Sequence, residues 1–76
     1  MPRYYFDLHD RSGVLEDNVG EELENEAAAR KEAIRAATAI ARDTLEDESS
    51  IFVDVRKGTD KLFTVVLAIT IASHQS

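Results

Sequence analysis

The chain has 76 residues, 15 acidic side chains against 9 basic ones, a formal net charge of −6 and no cysteine. A domain of this size buries only about 60% of the surface its unfolded chain exposes. Neither disulfides nor thiolate-bound zinc can make up the shortfall, which leaves one well-packed core or a partner chain to do so. The negative charge repels phosphate backbones on average, which argues against non-specific nucleic-acid binding.

The opening stretch PRYYFDLHD alternates in the manner of a strand. Tyr4, Phe6 and Leu8 share the expected core face, and Arg3, Tyr5, Asp7 and His9 share the other. Asp10-Arg11-Ser12-Gly13 then supplies turn chemistry, with the Asp10 carboxylate placed to accept backbone N–H groups. Val14-Leu15-Glu16 returns as a short second strand, broken early by Asp17-Asn18-Val19-Gly20.

From about Glu26 to Glu46 the sequence is rich in alanine and straight-chain charged residues and free of glycine and proline, which predicts a helix with Asn25 as its N-cap. Ala29, Ala33, Ala37, Ile40, Ala41 and Thr44 gather on one side with Ile34 at its margin, opposite Lys31, Arg35, Arg42 and Glu46. Glu26 with Arg30, and Arg42 with Glu46, have the spacing of helical ion pairs. An alanine face buries little area but lets the helix lie close to a sheet, so the sheet must supply the bulk.

Period two resumes with Ile51, Val53 and Val55 facing one way and Phe52, Asp54 and Arg56 the other. Lys57-Gly58-Thr59-Asp60 reads as a hairpin turn. A long strand follows from Lys61 to Ile71 with Phe63, Val65, Leu67, Ile69 and Ile71 on the core face, and the tail from Ser73 to Ser76 is expected to be flexible. The predicted order is ββαββ in a single domain spanning 1–76, with an ordered core of about 3–72. This is an α+β two-layer sandwich, a four-stranded mainly antiparallel sheet with one long helix on one face. Two sheet orders fit, second-first-third-fourth and second-first-fourth-third.

PRYYFDLHD, GVLEDNVGEEL, the alanine-rich AAARKEAIRAATAIARD and IFVDVRKGTDKLFTVVLAITI together cover nearly the whole chain. Their order resembles a family of short alphaproteobacterial proteins, a domain of unknown function numbered 6894. The resemblance implies the same fold boundaries and carries no activity, ligand or catalytic residue with it.

The residues themselves point to no enzyme. There is no Gly-x-Ser-x-Gly elbow, no phosphate-cradling glycine loop, and no alternating ligand pattern in the acidic cluster Glu16, Asp17, Glu21 and Glu22. Asp7 and His9 share a strand face, so an acid/base or metal pair is geometrically possible, but a zinc site would need further carboxylates or His74. No catalytic, cofactor or metal site is therefore expected.

One helix cannot cover two sheet faces, and the second face carries Tyr5, Asp7, His9, Phe52, Leu62, Thr64 and Val66. That face, or a strand edge, is the expected surface for a homodimer or a protein partner. An ordinary half-wet antiparallel face accounts for the same residues without association. The alternative is a nucleic-acid-associated regulator working through Lys31, Arg35 and Arg42 on the outer helix face. The N-terminus has no apolar run of signal-peptide type and Leu62 to Ala72 is too short to cross a bilayer, so a cytoplasmic location without membrane contact is expected.

Overall fold

The computed structural model describes residues 1–10, 13–44 and 49–75. Its elements are β1 (Arg3–Asp10), β2 (Gly13–Leu15), β3 (Glu21–Glu22), α1 (Glu26–Thr44), β4 (Ser49–Lys57) and β5 (Asp60–Ile69). Every strand pairing is antiparallel, and the sheet runs β2-β1-β4-β5 with β3 also pairing β1. The fold is α+β with a single helix packed on the sheet, and of the two expected orders the first is the one formed. The chain leaves one flank of β1 through β3, passes through α1, and returns in β4 on the other flank of β1.

Two hydrogen bonds start the helix where the sequence places its cap. Asn25 Oδ1 accepts the N–H of Ala28 at 2.9 Å, and the Asn25 carbonyl accepts that of Ala29 at 3.1 Å. Ala29, Ala33 and Ala37 are fully buried, while Ile34 is exposed at the margin of the docking face. Because alanine lets the backbone approach closely, α1 sits against β4 and β5, and the bulk comes from Tyr4, Ile51, Val53 and Val55. Phe6, Leu8, Phe63, Val65 and Leu67 are partly buried around this core. Glu46, the expected partner of Arg42, lies outside the described residues, as does the centre of the Asp10–Gly13 turn.

Three features depart from strict alternation. The small strand β3 pairs Arg3 with Glu22 and Tyr4 with Glu21, where only an interruption was expected. The strand beginning at Asp60 ends at Ile69, so Ile71 lies beyond it and is exposed rather than in the core. Finally, the β4–β5 register shifts from Val55 opposite Phe63 to Arg56 opposite Lys61, leaving Leu62 as the extra residue of a bulge. Leu62 consequently packs against the core, which corrects its expected place on the second sheet face.

Candidate interaction face

The sheet face turned away from α1 is built from two neighbouring polar groups on β1, β4 and β5. The first centres on Arg56, opposite Tyr5 in the β1–β4 register. Its Nε donates to Asp7 Oδ2 at 2.8 Å, Nη1 to the Gly58 carbonyl at 2.8 Å, and Nη2 to the Asp17 carbonyl at 2.8 Å and more weakly to Asp7 Oδ1 at 3.4 Å. The guanidinium carbon lies 4.5 Å from the centre of the Tyr5 ring, so the charge is also stacked on an aromatic face. One arginine thereby joins β1, the segment after β2 and the β4–β5 turn.

Asp17 does the corresponding work from the loop. Between β2 and β3 the chain bows away from β1, and the Asp17 carboxylate fills the gap in the ladder. Its Oδ2 accepts the Phe6 N–H at 3.1 Å, and its Oδ1 accepts those of Val19 at 2.9 Å and Gly20 at 3.0 Å. Its own N–H donates to Asp7 Oδ1 at 2.8 Å. A side chain thus satisfies a backbone donor that a regular strand would have paired.

Burial pushes the Asp7 carboxyl up, but the Arg56 hydrogen bond, the Asp17 N–H and the Arg56 charge outweigh it and hold the group below its ordinary value. Asp17 behaves alike: burial raises it, and the N–H groups of Gly20, Phe6 and Val19, with the Arg56 charge, bring it below its ordinary value. Both are stable anions.

The second group surrounds Asp54. The His9 and Phe52 rings stack with centroids 4.8 Å apart and planes within 5° of parallel. His9 Nε2 lies 3.2 Å from Asp54 Oδ2, Lys61 Nζ lies 3.8 Å from the same oxygen, and Thr64 Oγ1 donates to Asp54 Oδ1 at 2.5 Å. Asp7 and Asp54 are directly opposite across β1 and β4, yet each has a cation of its own, Arg56 beside Asp7 and Lys61 beside Asp54.

Of the residues singled out from sequence, Tyr5, Asp7, His9, Phe52, Thr64 and Val66 share this face, while Leu62 does not. Asp7 and His9 are not partners: Asp7 is held by Arg56 and His9 by Phe52 and Asp54. Among the described residues no group of three metal-ligating side chains converges. The organising roles of Arg56 and Asp17 were not foreseen. Arg56 has the same strand parity as Phe52 and Asp54, and Asp17-Asn18-Val19-Gly20 has the composition of an Asx turn, so both carried a signal.

On the opposite side of the molecule, Arg35 donates through Nε to Glu32 Oε2 at 2.8 Å. The Arg35 hydrogen bond holds the Glu32 carboxyl below its ordinary value, and the same bond raises Arg35. Arg30 lies 3.8 Å from Glu26 and over the Phe63 ring. Lys31, Arg35 and Arg42 are all exposed on the helix, but the middle charge of that stripe is matched by a carboxylate.

Among the described residues no helix is long and apolar enough to cross a membrane. No curated protein and no solved structure matches the chain. Residues 3–70 do match a family model described as Domain of unknown function (DUF6894), and the chain belongs to that family.

Proposed function

We propose that this domain is a small non-catalytic interaction module of the cytoplasm that works as a homodimer. The supporting observation is the incomplete cover of its sheet. Among the described residues one helix lies on one face, and β5 is paired with β4 along one flank only, ending the sheet with a strand of ten residues. Val66 on β5 and Ile71 just beyond it are exposed apolar side chains. The polar side chains of the second face are engaged with one another rather than around a vacant centre, as suits a surface that is held rigid and presented.

Sedimentation equilibrium of the full chain tests this reading. A concentration-dependent shift from monomer to dimer is expected, and a monomer throughout the accessible range would refute it. Nucleic-acid binding through Lys31, Arg35 and Arg42 is the second reading, motivated by the basic outer helix face. The Arg35–Glu32 pair weakens it by neutralising the central cation. Titration with duplex and single-stranded oligonucleotides at low salt decides between the two, because a phosphate contact would strengthen as salt is lowered.

A further inference from the structure

We propose that a second copy of this chain pairs with the open edge of β5, antiparallel and with Val66 on the two-fold axis, so that two sheets join into one. The inference rests on the self-association proposed above and names the surface that carries it.

The two edges of the sheet differ sharply in how they are protected. On the far side, β1 is flanked by the short strands β2 and β3, and the bowed segment between them is filled by Asp17. That edge is interrupted and offers no continuous template. β5 is ten residues long, DKLFTVVLAI, and bears charge only at Asp60 and Lys61. It contains no proline, and its bulge falls at the turn end, beside Arg56, leaving the stretch from Phe63 to Ile69 regular. Edge strands of monomers ordinarily carry central charges, prolines or central bulges that prevent pairing, and the middle of β5 has none of these.

The sequence of β5 suits a two-fold partner. With Val66 opposite Val66, Val65 meets Leu67, Phe63 meets Ile69 and Thr64 meets Ala68 of the second copy. Residues of the helix-side face then meet their own kind, so both helices lie on one side of the joined sheet. Asp60 and Lys61 fall opposite Ala72 and Ile71, outside the strand, so no like charges are brought together. Phe63, Val65 and Leu67 are only partly buried in one copy, whereas Val53 and Val55 on the neighbouring strand are fully buried. A second β5 alongside supplies the missing neighbours.

Packing the second face against its copy is the competing arrangement, and it would take the exposed Lys61 and the part of Arg56, Asp7 and Asp54 that still meets solvent out of water. Those groups are already paired, so desolvation would bring no new partner in return. The exposed large apolar side chains on that face, Val66 on β5 and Val14 opposite His9 on β2, stand at opposite edges of the sheet, and the stacked His9 and Phe52 rings lie between them. Edge pairing uses Val66 and leaves the solvent contact of Arg56, Asp7 and Asp54 unchanged.

Sedimentation equilibrium on variants separates the two arrangements. Val66→Lys places two ammonium groups directly across the axis and is expected to raise the dimer Kd at least about tenfold. Ala68→Lys, also exposed on β5, is expected to weaken the dimer too and guards against a folding defect at one site. Val14→Lys, on the same face opposite His9 but on β2 at the far edge of the sheet, should leave the Kd within about twofold. A dimer untouched by Val66→Lys and Ala68→Lys, or weakened as much by Val14→Lys, would retain self-association and overturn the edge. A wild-type chain that stays monomeric overturns both.

Discussion

At the residue scale the protein depends on side chains standing in for backbone. Asp17 completes the ladder that β2 and β3 leave open, and Arg56 ties Asp7, the Asp17 carbonyl and the Gly58 carbonyl into one network. The two lowered carboxyls give this network a pH signature. Folded Asp7 and Asp17 bind protons more weakly than in the unfolded chain, where the ordinary value is 3.8. Their contribution to stability is therefore complete well above that value and is lost as pH falls through the lower folded values. Urea midpoints measured from pH 6 down to pH 2 should fall in acid, and the Asp7→Asn/Asp17→Asn double variant should show a shallower fall. Gly20 is a second residue-scale test, because its φ is +74° and an added Cβ would come within 2.8 Å of Tyr5 Cε1 and 3.0 Å of the Tyr4 carbonyl oxygen. Gly20→Ala should cost about 1–3 kcal/mol in urea unfolding, from backbone strain and steric clash together. Strand parity in the sequence places Arg56 on the correct face, but its grip on Asp17 joins residues far apart in the chain and depends on the bowed loop.

At the element scale the alanine face of α1 decides how the layers meet. Ala33 is fully buried against the sheet, so Ala33→Leu should cost about 1–3 kcal/mol by overpacking, read as a lower thermal midpoint. Strong periodicity made the helix, its Asn25 cap and the core faces of β1 and β4 legible from sequence. β3 was not legible, because Glu21–Glu22 is too short to display a period and its pairing follows from the Asp17 turn. Leu62 was misplaced for a related reason. A bulge shifts parity by one residue without changing composition, so alternation counted from Phe63 places the wrong face outward. Sheet order was open because the β4–β5 hairpin can add to β1 by either strand with the same apolar pattern.

At the scale of the whole molecule, a small core and a one-sided helix leave the protein with one blunted sheet edge and one open edge. The second face supplies rigidity through paired charges, while β5 supplies the unpaired backbone that another strand can use. Association through β5 would extend a core of modest size across two copies, which is one of the two ways, beside a well-packed core, in which a cysteine-free chain of this length is stabilised. Amide hydrogen exchange along β5, followed by NMR at low and high protein concentration, tests this most directly. If two copies join at β5, alternate amides from Phe63 to Ile69, those turned away from β4, exchange freely in dilute solution and become protected as concentration rises. Exchange along β5 that is the same at every concentration, or protection gained only around Tyr5 and Phe52, would contradict it.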